Sequence, residues 1–461
     1  MIGKAARFLG AGCLALSAPA LAQDQLLLTN VGPDSHSILV EVGVIVANGD
    51  EIAAPAGGRI VDAGGGYATP GLIDMHVHVW SEAELAAYLA HGVTTVRNLS
   101  GMPFHLRMAA AIDEGAMEGP RLLTSGPIIN SPGPNAQINH VMVSSADEAR
   151  AAVRAQHAAG YERVKLYSNL TGEAFAAALS EARRLNMAVT GHPVEGARED
   201  GIPFERDFLV PISQTLAVDF ETIEHTESIA FHGFRSQVDI EAAIALVDAI
   251  AASGATVTPT LVAHRNLVRV AQSNGAYAQR EHMAWLNPVT QSLEAENIRA
   301  WAGRDPAYEQ ERAQFYSWLT GRMHAAGVPL VAGSDAGIFV NLPGDALHDE
   351  LALLVEAGLT PSEAIDAATV NAARALGEDR LGCLEQGCVA DMVFTLCDPR
   401  DEIDCIGEVT GLVRGGRWYG PEELASLRAR AGRHDMQQIG ADLLEGMAAQ
   451  GTPVDPAMLG M

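Results

Sequence analysis

Basic residues are scarce in this chain. Its 461 residues carry 30 Lys and Arg against 57 Asp and Glu, a formal charge of -27. A surface this acidic repels nucleic acid and anionic lipid, which excludes both as partners. Beyond the first two dozen residues no apolar run is long enough for a membrane helix, so no membrane span is expected. Cysteine is rare too, with 5 in the chain and no tight Cys-x-x-Cys pair. That spacing weighs against a zinc site built from thiolates. Hydrophobic residues are not lacking: at 48% they suffice for one large core plus a smaller one.

The first stretch reads as an export signal. Lys4 and Arg7 give a positive end, Phe8 to Leu16 is a short apolar run, and Ala20-Leu21-Ala22 is a small-x-small cleavage site. The mature protein then starts near Gln23 and is periplasmic or secreted. Cys13 follows Gly10-Ala11-Gly12 and lacks the Leu that a lipidated cysteine has three residues before it. Export changes the meaning of the remaining cysteines, Cys383, Cys388, Cys397 and Cys405. In an oxidising compartment they suggest two disulfides, and three pairings are open. Cys383–Cys388 with Cys397–Cys405 is preferred because each pair closes a local loop.

Residues 25 to 68 read as short strands without helical period: Leu26-Leu27-Leu28, then Ile38 to Val46, then Arg59-Ile60-Val61. Asn48-Gly49 and Gly64-Gly65-Gly66 supply turn chemistry. From residue 70 apolar strands alternate with amphipathic helices. Strands are expected at 72–79, 93–97, 121–129, 163–167, 188–192, 221–225, 255–260 and 329–335. That order fits an α/β fold, a (β/α)8 TIM barrel. A long helical insertion, 277–324, would lie over the barrel mouth. Strand-like residues return at 392–396 and 411–413 and should pair with the first segment. The domains are therefore a signal peptide at 1–22, a small β-sandwich from 23–68 and 378–420, a barrel at 69–377, and a C-terminal helix with tail at 421–461. Glu422 to Met447 reads as one polar helix.

Chemistry concentrates at the strand ends. His76 and His78 stand one residue apart in a strand, so alternation puts both imidazoles on one face, where they can share a metal ion. Lys165 lies between Val164 and Leu166, which places it inside the barrel. Burial there lowers its pKa, and a neutral lysine can take up CO2 to form a carbamate. His192 and His225 each end an apolar strand, and Asp335 follows Gly333-Ser334 at the end of the last one.

Taken together, this pattern resembles the amidohydrolase superfamily, in the binuclear subtype with a carboxylated lysine. Thr69-Pro70-Gly71-Leu72-Ile73-Asp74 before the His pair, Ala332-Gly333-Ser334-Asp335-Ala336, and Gly387-Cys388-Val389-Ala390-Asp391 carry the likeness. The resemblance implies two divalent metal ions, zinc fitting the donors best. His76, His78, Lys165 and Asp335 would hold the more buried ion, and carboxylated Lys165, His192 and His225 the other. A hydroxide between the ions would be the nucleophile, with Asp335 as proton shuttle.

Gly191-His192-Pro193-Val194-Glu195-Gly196-Ala197 and Ile223-Glu224-His225 are most similar to the exported, prolidase-like dipeptidases related to imidazolonepropionase. The implied function is metal-dependent hydrolysis of a carbon–nitrogen bond in a small molecule, a dipeptide or N-acyl amino acid. Hydrolysis of another ester, lactone or xenobiotic amide is the alternative, and a non-catalytic periplasmic binding protein is a further one. Tyr167 and His140 are candidate catalytic contacts to a substrate carbonyl. Arg235, His264 and Arg265 are candidates for holding a substrate carboxylate. A homo-oligomer is compatible with this reading.

Overall fold

Two four-stranded sheets meet around one apolar cluster, and the two ends of the chain build them together. The computed structural model describes residues 25–197, 208–235 and 237–455, so the expected signal peptide and Cys13 lie outside it. The first sheet holds Gln25–Val31, His36–Glu41 and Val44–Gly49 in antiparallel order, with Arg59–Asp62 parallel to the first strand. The second holds Tyr67–Pro70, Met392–Thr395, Val409–Arg414 and Arg417–Tyr419. Leu28, Ile38 and Ile45 from one sheet pack with Met392, Phe394 and Val413 from the other. Disulfides join Cys383 to Cys388 and Cys397 to Cys405, the local pairing. The single strand expected over 38–46 is a hairpin instead. It turns at Val42-Gly43, where φ is +48° and +73°, the left-handed geometry that matches the twist of two paired strands.

Between these ends, parallel strands alternate with helices. Leu72–Val77, Val93–Asn98 and Arg121–Thr124 form one parallel sheet. Ile128–Asn130, Arg163–Leu166, Ala188–Gly191, Ile223–Glu224 and Val257–Thr258 belong to another, with His140–Met142 on its edge. Leu72–Val77 and Val93–Asn98 are buried along their whole length, as strands covered on both faces must be.

Three further expectations need correction. The strand over 121–129 is two strands. Pro127 has no N–H for a ladder, and Gly126 N donates to Arg163 O at 2.9 Å across the break. The last strand, 329–335, is not a continuous ladder: Leu330 bridges Val257 and Ala336 bridges Val77. It is still pinned to the first strand, because Met75 N donates to Ala332 O and Asp335 N to His76 O, at 3.0 and 2.8 Å. The helix over 422–447 is two helices, Pro421–Arg430 and Met436–Ala449. Asp435 caps the second by accepting from Gln437 N and Gln438 N, and a cap residue of this kind starts a new helix.

The insertion is helical as expected, with Pro288–Ala302 and Pro306–Ala325. Glu84 fastens its start. That buried carboxyl accepts from Trp80 N, Ser81 N and Asn287 N at 2.6, 3.1 and 3.1 Å. No described helix is long and apolar enough to cross a membrane.

Candidate metal centre and catalytic cavity

His76 and His78 leave the end of the first strand toward Asp335, which the bridge to the last strand brings alongside. His78 Nε2 lies 3.1 Å and His76 Nε2 3.4 Å from Asp335 Oδ1. The ligand atoms of these three residues all fall within 4.8 Å of one another, and all three residues are buried. Despite that closeness, Asp335 Oδ1 has no aligned hydrogen-bond partner. A buried oxygen that approaches two imidazole nitrogens without bonding to either is what convergence on a shared cation leaves behind.

Lys165 joins this group. Its Nζ is 3.0 Å from His76 Nε2, and the residue is 1% exposed. Burial, opposed by the charges of Asp335 and Glu224, brings its ammonium down to about 8. His225 stands with its ring 4.5 Å from that of His76, and His192 follows 4.6 Å from His225. The structure thus brings together all six predicted ligands.

The outer nitrogens of three of the four imidazoles are held, while His78 Nδ1 is buried without a partner. His76 Nδ1 is 2.7 Å from Glu224 Oε2. The Thr260 hydroxyl donates to Pro259 O, so its oxygen accepts from His225 Nδ1 at 2.6 Å. Ser228 Oγ lies 3.2 Å from His192 Nδ1. Each contact leaves Nε2 for the interior, and such partners orient metal-binding histidines. Burial first, then neighbouring cations, pushes His76 and His192 well below the ordinary imidazole value, so both rings are neutral. Burial works to raise the Asp335 carboxyl, but His76, His78 and His225 hold it well below its ordinary value. His225 and Asp335 both have positive φ, 68° and 53°, a strained backbone at the residues that point the donors inward.

Two supporting carboxylates were not singled out as site residues. Glu224 accepts from Arg97 Nη2 at 2.9 Å and Thr190 Oγ1 at 2.6 Å, besides a short bond from Thr222 Oγ1. Arg97 is wholly buried and also donates to Met75 O and Glu221. Asp74 accepts from Ser334 N and Ser334 Oγ at 3.0 and 2.5 Å, tying the first strand to the residue before Asp335. The available signal was a charged residue inside an apolar strand, as at Arg97 and Glu224, since such a charge must have a partner.

A cavity of about 720 Å³ opens over these residues. Tyr167 and His140 line it, as expected, with rings 4.7 Å apart. His140 Nδ1 faces two N–H donors, Asn130 Nδ2 at 3.2 Å and Gln137 N at 3.4 Å. Its proton therefore sits on Nε2, which is buried without a partner. Burial lowers the His140 imidazole to about 3, keeping it a neutral donor. Burial raises the Tyr167 hydroxyl, so it too stays protonated. The three candidates for a substrate carboxylate lie elsewhere. Arg235 stacks 3.4 Å over Phe208 and bonds to Phe231 O; His264 faces Glu309; Arg265 pairs with Glu356 at 3.1 Å. None of them lines the cavity, because their helices turn these side chains to neighbours outside it.

The amidohydrolase family pattern matches residues 67–419. An uncharacterized protein of Mycobacterium bovis is 34% identical over 145 residues, 31% of this chain and 38% of that protein. The chain thus spans well under half of that relative's length. Among solved structures, bottromycin amidohydrolase aligns with TM-score 0.69 and 25% identity over 90% of this chain and 92% of its own. A Xaa-Pro dipeptidase with methionine bound in its active site aligns with TM-score 0.62 and 20% identity, over 86% and 98%. These likenesses imply a TIM-barrel-type α/β fold.

Proposed function

The chain belongs to the amidohydrolase family, and on that premise we propose that it is a metal-dependent hydrolase of a carbon–nitrogen bond. Dipeptides and N-acyl amino acids are the substrate class we assign. In this reading a (β/α)8 barrel carries the site and a small β-sandwich made from both chain ends supports it. The observation that carries the reading is the convergence of His76, His78 and Asp335, with Lys165 against His76. The donor set fits a divalent cation, and the unsatisfied Asp335 Oδ1 supports that reading.

His76, His78, Asp335 and Lys165 would hold one ion; His192, His225 and Lys165, carboxylated by CO2, would hold a second. When bound, two zinc ions supply Lewis-acid polarisation and an acidified water. Asp335 takes the proton of the attacking water and hands it to the leaving nitrogen. The Tyr167 hydroxyl and His140 Nε2–H donate to the substrate carbonyl as negative charge builds on it. The two disulfides support work outside the cytoplasm after export.

The test is elemental analysis of the purified full chain beside Lys165→Ala. The expected result is about two ions per chain in the parent, falling sharply in the variant. About one ion in both proteins would make Lys165 structural and remove the bridged site.

A further inference from the structure

The cavity is far larger than the metal centre needs, and its lining includes large apolar side chains beside the polar Thr290, Glu294 and Asn297. This apolar part of the wall comes mainly from two segments remote in sequence. The insertion helix Pro288–Ala302 contributes Leu293, and the C-terminal helix Met436–Ala449 contributes Leu443 and Met447. Ile138, in the loop before His140, completes it. Leu293 and Ile138 are 54% and 44% exposed, although both face a cavity that leads to the catalytic residues. Large apolar side chains left uncovered along an enclosed wall mark a binding surface.

We propose that this wall is a subsite for a bulky, uncharged apolar substituent of the substrate, such as an aromatic or long acyl group. The inference rests on the hydrolase reading and names its substrate class more closely. The C-terminal helix is fixed in place for the task. Gly446 lies so close to Met102 that a Cβ there would come within 2.5 Å of its sulfur. From the helix that Met102 caps, Pro103–Asp113, Arg107 also grips Asp442 and Glu445 at 2.8 and 2.7 Å. The helix therefore presents Leu443 and Met447 on a rigid support. Charge narrows the choice. Glu195, Glu227 and Glu294 line the cavity and disfavour an anionic group there, and burial lifts the Glu294 carboxyl to about 7, which weakens its pull on a cation. The volume suits a drug-sized group.

The experiment has two arms on the metal-loaded full chain. In the first, the uncharged fluorescent probe N-phenyl-1-naphthylamine is titrated against the parent, Leu293→Asp and Met447→Ala. The parent should bind it, and each variant should bind about ten-fold more weakly. Leu396→Asp, exposed but outside the cavity lining, should bind like the parent. In the second, kcat/KM for N-(2-naphthoyl)-L-alanine is divided by that for N-acetyl-L-alanine. The parent ratio should exceed unity about ten-fold or more and collapse in Leu293→Asp. Probe binding unchanged by both cavity variants overturns the proposal, and so does a parent ratio near one. If neither amide is cleaved, the hydrolase reading fails, while the probe arm still decides the subsite.

Discussion

His76 is the most heavily supported side chain of the centre. Glu224 fixes its Nδ1, and Arg97, Thr190 and Thr222 fix Glu224. The carboxylate raises the basicity of the imidazole and sets its orientation, so it should act on metal affinity. Glu224→Gln keeps the shape but loses the charge. We expect metal affinity to fall about 10–100-fold, read by competition with a chelator. An unchanged affinity would reduce Glu224 to a partner for Arg97. The six residues that converge here were legible because each stands at or just beyond the end of an apolar segment. Glu224 was not, although it is the residue before His225. Its role depends on a contact with a residue 148 positions away, which no local spacing encodes. Arg97 offered the better signal: a charge inside an apolar strand predicts a buried partner, though not which one.

At the scale of elements, the C-terminal helix shows how packing overrides propensity. Ile439, Gly440, Leu443, Gly446 and Met447 form its buried face. Glycine inside a helix is unfavourable by about 1 kcal/mol relative to alanine. Gly446→Ala would recover that, but the new Cβ would meet Met102 at 2.5 Å from sulfur and 3.1 Å from its Cβ. Met102 is fully buried and has little room to move. Overpacking of this kind costs about 1–3 kcal/mol, so the clash should win. Thermal unfolding of Gly446→Ala should show a net loss of up to about 2 kcal/mol. A stabilised variant would mean that the helix is free to shift. Sequence pattern caught the insertion and the alternation of strands with helices. It missed the breaks at Val42-Gly43 and Pro127, and it read Glu422 to Met447 as one helix. Val42 takes its positive φ at an exposed turn, and Pro127 sits between two strands with its carbonyl accepting from Gln156 Nε2, neither of which the local pattern states.

The whole molecule buries acids and imidazoles of opposite pH response, and this sets where it is most stable. Burial raises Glu84 and Glu350 from their ordinary value to about 8. A carboxyl whose folded pKa is raised binds its proton more tightly in the folded state. The stability it contributes is fully present below about pH 4.5 and is lost as pH rises toward 8. Burial lowers His91 to about 3 and His105 to about 4. A folded imidazole held neutral has the opposite sign: its contribution is complete above about pH 6.5 and is lost as pH falls through the acid range. Between about 4.5 and 6.5 the two trends oppose each other, and outside that window each acts alone. The melting temperature should therefore pass through a maximum between about pH 5 and 7 and decline toward pH 8. Glu84→Gln copies the neutral acid and keeps an oxygen for Trp80 N and Ser81 N, at the cost of the bond from Asn287 N to the other oxygen. Combined with Glu350→Gln, it should flatten the decline above pH 6.5 and leave the acid limb intact. These four groups lie outside the metal ligands, so metal occupancy held constant across the series keeps the comparison clean. A melting temperature that climbs steadily from pH 6.5 to 8 in the parent would show that these carboxyls are ionised in the folded protein, and the account of how Glu84 fastens the insertion would have to change with it.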